Sequence, residues 1–166
     1  MSFLAYEAMC FAREVHKNQR RKYTNDPYTV HLAEVAAITS AVIPGQAFQA
    51  IAWLHDCVED QGVTYLALAN NFGRIVADHV MLLSDLETGN RAERKAASRV
   101  RLSAAPAAVQ TIKVADLISN TQSIVQHDPK FAVTYLEEKR LLLDVLTKAD
   151  KRLVQIAREQ LRCYTK

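Results

Sequence analysis

Apolar residues recur three and four positions apart along nearly the whole chain. Val35, Ile38 and Val42 follow that spacing, as do Ile51, Leu54 and Val58, and then Val76, Val80 and Leu83. Such intervals stack side chains on one face of a helix. Turn signals punctuate the pattern at Asn25 to Pro27, Pro44 and Gly45, Gln61 to Thr64, Thr88 to Asn90, Ala105 and Pro106, and Asp128 and Pro129. Eight or nine helices are therefore expected, in an all-α fold that forms a single domain over residues 1–166. One of them should run from about Phe48 to Gln61 and end at Gly62, a residue free to take the left-handed backbone that closes helices. Asp128 followed by Pro129 reads as a cap and first-turn pair for the helix that continues through FAVTYLEEKRLLLDVL.

Composition agrees with this pattern. Only four glycines and four prolines occur, and 49% of the residues are hydrophobic, which favours helices joined by short loops. No apolar run approaches the roughly 18 residues of a membrane span. The N-terminal MSFLAYEAMCFAREV also lacks the layout of a signal peptide, so a cytoplasmic location is expected. The three cysteines, Cys10, Cys57 and Cys163, have no metal-ligand spacing and suit a reducing compartment. A net charge of +3 is too small to imply nucleic acid. Basic residues do cluster at Lys17 to Lys22 and from Arg91 to Arg101, which suits a smaller anionic partner. Nothing in the sequence defines an oligomeric state.

The chemistry concentrates in WLHDCVEDQG, Trp53 to Gly62, which holds His55, Asp56, Glu59 and Asp60. On the expected helix, Asp56 faces Glu59 and Asp60 at spacings of three and four, where like charges repel. The carboxylates would also lie toward the helix C-terminus, the negative end of its dipole. Either a divalent cation offsets this cost or the segment is a solvated acidic helix end beside a buried histidine. His31 opens an apolar helix, where a lone histidine fits a hydrogen-bonded core position or a metal ligand. Lys113, Asp116 and Asn120 form a polar stripe on the apolar segment QTIKVADLISNTQSI. An acid there needs a partner, either a structural ion pair or a cation.

An isolated His, an adjacent His-Asp pair and a later helical Asp resemble the metal-ligand order of HD-domain phosphohydrolases. Longer segments narrow the resemblance. HKNQRRK with PYTVH, then LHDCVED, NNFG, LSDLETGNRAERK and IKVADLISN, are similar in order and interval to the hydrolase domain of RelA/SpoT-type alarmone enzymes. The similarity runs from Phe11 to about Lys139, and its form is that of the small stand-alone alarmone hydrolases, similar to the metazoan SpoT homologue. The resemblance implies an HD-domain helical bundle in which His31, His55, Asp56 and Asp116 bind one divalent cation, typically Mn²⁺ in this family. It implies that Glu59 and Asp60 orient or deprotonate the attacking water, and that the reaction removes the 3′-pyrophosphate of guanosine tetra- or pentaphosphate. Arg21, Lys22, Arg91, Asn120 and Tyr135 match its nucleotide contacts. Leu32, Leu117 and Gln122 stand where the family commonly has Pro, a basic residue and Arg. Two other classes fit the chain: an HD phosphohydrolase for another nucleotide or dinucleotide phosphate, including an adenosine alarmone, and a catalytically silent nucleotide-binding module. The intact Glu59–Asp60 pair argues against the last, because a pure binder has no use for its repulsion.

Overall fold

A computed structural model describes residues 3–164. They are all-α: ten helices occur among the described residues, with no strand and a single isolated bridge between Arg20 and Pro27. No helix is long and apolar enough to cross a membrane. Two compact units divide the chain, Met1–Leu86 and Glu87–Lys166.

The first unit contains α1 (Leu4–Val15), α2 (Thr29–Ser40), α3 (Gln46–Leu54), α4 (Cys57–Gln61), α5 (Tyr65–Phe72) and α6 (Arg74–Leu83). Helix α1 buries only Ala8 and Ala12, and these small side chains let it lie close against α3, whose Ala50, Ile51 and Leu54 are fully buried. Phe11 meets Phe72 edge to face at 5.3 Å, which ties α1 to α5. Between α1 and α2 the chain turns tightly. Arg21 N–H donates to Asp26 O at 2.9 Å, Tyr28 N–H donates to Gln19 O at 3.0 Å, and Asn25 takes a positive φ of 59°. The turn expected at Asn25 to Pro27 is thus built on an asparagine in the left-handed region, which its short polar side chain tolerates.

The helix expected from Phe48 to Gln61 is broken. Helix α3 stops at Leu54, and α4 is a separate turn of five residues with Asp56 as its N-cap and Gly62, at φ 65°, as its left-handed C-cap. Helix closure at Gly62 follows the sequence expectation; the interruption before it does not. At the break, His55 Nδ1 donates to Ala52 O at 2.8 Å. That carbonyl is the one an unbroken helix would offer to the amide of Asp56.

The second unit contains α7 (Arg91–Ala104), α8 (Ala107–His127), α9 (Pro129–Val145) and α10 (Lys151–Tyr164). Asn90 and Glu93 form a reciprocal capping box at the start of α7. Asp128 caps α9 by accepting from Phe131 N–H at 3.1 Å, with Pro129 in the first turn, as the sequence implies. The gap from Leu146 to Asp150 has no glycine or proline and was not expected from the pattern. Gln110 supports it: fully buried, its Nε2 donates to Leu102 O at 2.9 Å while its Oε1 accepts Lys148 N–H at 2.8 Å.

Lys139, on α9, is 1% exposed. Its ammonium donates to two neutral oxygens, Thr121 Oγ1 at 2.8 Å and Gln160 Oε1 at 2.6 Å. Loss of hydration pushes its pKa down from 10.5 to about 7. Between those values the native chain binds fewer protons here than the unfolded chain, so stability should rise with pH, by at most about 1.4 kcal/mol per pH unit. Below about pH 7 both states are protonated and this dependence vanishes. Urea denaturation of wild type and Lys139→Met across this range should show the rise only in the wild type; parallel pH profiles would refute it.

Candidate active site

His31 sits in the first turn of α2 and His55 is the C-cap of α3; they are 1% and 2% exposed. Their rings lie 5.3 Å apart at 64°, and one ring nitrogen of each lies within 4.8 Å of one of the other's. Both turn Nε2 toward the same carboxylate oxygen. Asp56 Oδ2 is 3.0 Å from His55 Nε2 and 3.5 Å from His31 Nε2. Tyr28 O–H donates to that oxygen at 2.7 Å.

The protonation of His55 follows from its other nitrogen. A carbonyl can only accept, so the contact with Ala52 O places the proton on Nδ1. In the neutral ring, Nε2 then presents a lone pair to an anionic oxygen. Two imidazoles and a carboxylate converging in this way are suited to a divalent cation, and a ring nitrogen anchored on backbone carbonyl is the usual support for a metal-bound histidine. The donor set of this unit therefore fits a metal.

The break before α4 also changes the electrostatics of the acidic segment. Glu59 and Asp60 occupy the first turn of α4, not the last turns of a long helix. That turn ends at Gln61, so Asp60 stays one residue from a helix C-terminus, but a single turn carries only a small part of the dipole of a long helix. Glu59 Oε2 accepts Asp85 N–H at 2.9 Å, and Asp60 Oδ2 accepts Gln19 Nε2–H at 2.8 Å. Between them and His55, Cys57 is buried, and burial, with the charges of Asp56 and Asp60, pushes its thiol pKa far up. These influences favour the neutral thiol over the thiolate.

In the second unit, α8 buries Asp116, 7% exposed, on an otherwise apolar stretch. Lys113 Nζ lies 2.9 Å from Oδ2 and Asn120 Nδ2 donates to Oδ1 at 2.7 Å. The ion pair raised by the sequence as one option is thus present, and Asn120 orients the acid. Tyr135 O–H donates to Leu117 O at 3.2 Å and lies 3.4 Å from Thr121 Oγ1; burial pushes its pKa up, so it remains a neutral hydroxyl. Arg91 is held by Glu138 through two bonds of 2.7 Å and lies over the Phe131 ring at 4.9 Å. Back in the first unit, Arg21 is 3.4 Å from Glu34, and Lys22 donates to Tyr23 O–H at 3.2 Å and lies over its ring. Leu32 and Leu117 are buried, so apolar packing occupies these positions, whereas Gln122 is exposed.

Sequence reasoning missed Tyr28 and Gln19. Tyr28 stands three residues before His31, within PYTVH, but only the folded turn directs its hydroxyl at Asp56. Gln19 reaches an acid 41 positions away, which no local pattern signals.

The family model described as HD domain matches residues 8–142. A guanosine-3′,5′-bis(diphosphate) 3′-pyrophosphohydrolase MESH1 of Xenopus tropicalis is 35% identical over 133 residues, 76% of this chain and 73% of that protein. A probable guanosine-3′,5′-bis(diphosphate) 3′-pyrophosphohydrolase of Synechocystis is 30% identical over 133 residues, which is 17% of its length. Among solved structures, a metazoan ortholog of SpoT that hydrolyzes ppGpp and plays a role in starvation responses superposes with a TM-score of 0.91 at 25% identity, covering 99% of this chain and 97% of that one. The chain belongs to the HD-domain family, and over three quarters of its length it is similar to the MESH1-type members of that family.

Proposed function

We propose that this protein is a metal-dependent hydrolase that removes the 3′-pyrophosphate from guanosine tetra- or pentaphosphate alarmones, with both units belonging to one HD-type domain over residues 1–166. The observation that carries this reading is the convergence of His31 and His55 Nε2 on Asp56 Oδ2 in a chain 35% identical to a MESH1 hydrolase. The family model's span, 8–142, crosses both units and supports treating them together.

In this reading His31, His55, Asp56 and Asp116 hold the cation. Asp116 is supported by its burial and by the two donors, Lys113 and Asn120, that orient its oxygens. An imidazole and carboxylate set accommodates Mn²⁺, the metal the family resemblance favours. When bound, the cation supplies positive charge to a phosphoryl oxygen and makes water easier to deprotonate. Glu59 and Asp60, three and four residues past Asp56, take the proton from the attacking water. Arg21 and Lys22 bind the phosphates. Arg91, Asn120 and Tyr135 line the nucleotide, with Asn120 also steadying Asp116. A second reading, hydrolysis of an adenosine alarmone or another nucleotide phosphate, is favoured by apolar Leu32 and Leu117 and neutral Gln122 at three family positions. Turnover of a panel of guanosine and adenosine alarmones with Mn²⁺, resolved by chromatography, distinguishes the two; no turnover of any of them would reject both.

One divalent cation per chain should co-purify or bind, and His55→Ala or Asp116→Ala should abolish it. Equal metal content by elemental analysis in wild type and both variants would overturn the ligand set. Chelation should also lower the melting temperature, because the cation binds the folded state.

Asp60→Asn and Glu59→Gln should each keep the metal while reducing kcat by about 10²-fold or more, the usual loss for a proton acceptor. Wild-type rates in both variants would mean that the pair is structural.

Arg21→Ala or Lys22→Ala should raise KM about tenfold for a substrate with pyrophosphates at both 3′ and 5′ positions, since charge-assisted contacts are worth roughly 1.5 to 3 kcal/mol. A simple nucleoside monophosphate should be affected far less. Equal small effects on both would assign these cations to a solvated face.

A further inference from the structure

Asp60 is solvent-exposed on a helix of only five residues, yet its carboxylate is held. Gln19, in the turn after α1, donates from Nε2 to Asp60 Oδ2 at 2.8 Å. Gln19 is itself fixed from the other side. Its Oε1 lies 2.6 Å from His16 Nδ1 and accepts from Gln61 Nε2–H at 2.5 Å. An amide oxygen has two lone pairs and cannot donate, so both are used and His16 Nδ1 must carry a proton. The amide therefore cannot flip without losing both contacts and turning an oxygen toward a carboxylate.

His16 is a buried anchor. It is 1% exposed, and its ring stacks on Tyr28 at 5.3 Å and 18°. The backbone reinforces the arrangement: Gln19 N–H donates to His16 O at 2.9 Å, and Tyr28 N–H donates to Gln19 O at 3.0 Å. From this stack two arms extend. One runs through Gln19 to Asp60, and the other through the Tyr28 hydroxyl to Asp56 Oδ2.

We propose that Gln19, anchored by His16, is a positioning residue that sets the carboxylate of Asp60 at a fixed place relative to Asp56. This rests on the reading of Asp60 as the acceptor of the water proton. With Oδ2 engaged by the amide, Oδ1 is the oxygen directed to water. A proton acceptor must lie within hydrogen-bond reach of its water, and a freely rotating aspartate on a single helical turn would satisfy that for only part of the time. Gln19 touches no reacting atom.

The test is a double-mutant cycle with a KM and kcat readout. Gln19→Leu keeps the side chain's bulk and removes the donor; Gln19→Glu keeps its length but places an acceptor against Asp60. Each should lower kcat roughly tenfold or more, the scale of a hydrogen bond to a charged group, with KM and metal content unchanged. In an Asp60→Asn background, Gln19→Leu should cost nothing further, because the group it positions is gone. Full additivity of the two losses, or a Gln19→Glu variant with wild-type kcat, would overturn the proposal. A melting temperature for each variant separates loss of turnover from loss of folding. Absence of turnover in the wild type would instead reject the functional reading, and the positioning role with it. Independently of turnover, the side-chain amide resonances of Gln19 should shift in Asp60→Asn; unmoved resonances would show that the contact does not form in solution.

Discussion

The first unit is organised around a single carboxylate oxygen, Asp56 Oδ2, which faces two imidazole nitrogens and accepts a tyrosine hydroxyl. Burying so many polar groups together is costly unless each is satisfied, and much of the local backbone follows from satisfying them. His55 fixes its tautomer on Ala52 O, and that bond coincides with the point where α3 ends. Because the helix ends there, Asp56 becomes the cap of a new turn, and Glu59 and Asp60 lie in that single five-residue turn and not at the end of a long helix. The side-chain-to-backbone bond of His55 thus orients an imidazole at the junction of the two helices.

Much of the architecture was legible because its signals are local. Periods of three and four marked the helices, Gly62 and Asn25 supplied left-handed turns, and Asp128 with Pro129 announced α9. The break at His55 and Asp56 carried no such mark. No residue there is a helix breaker, and the contact found at the break, from the His55 ring to Ala52 O, depends on the ring's rotamer. The gap from Leu146 to Asp150 was invisible for a related reason, since buried Gln110 on another helix satisfies its backbone.

The site divided along the same line. His31, His55 and Asp56 stood out because imidazoles and acids in apolar helices demand partners, but their assignment to one ligand set came from the family resemblance. Their mutual support did not stand out, because it arises across long separations: Tyr28 reaches Asp56 over 28 positions and Gln19 reaches Asp60 over 41. Tyrosine and glutamine are also unremarkable residues in a sequence, whereas a run of carboxylates beside a histidine is not. Supporting residues therefore emerge from geometry, while the groups they support are apparent from motif and family resemblance.

The basic residues show what an ion pair does to such a prediction. Arg91 and Arg21 each have a carboxylate neighbour, Glu138 and Glu34, which offsets part of their charge. A guanidinium, however, has five N–H donors in a planar fork. Glu138 engages Nε and Nη2 of Arg91, while Phe131 covers one face of the group. The Nη1 donors are not taken by Glu138, and the group's orientation is set before any anion arrives. The pair lowers the long-range pull of Arg91 on a nucleotide but removes much of the side-chain entropy that a free arginine would lose on binding. Lys22 meets the Tyr23 hydroxyl and the face of its ring. An anion reaching Arg91 would therefore meet donors whose geometry is already set.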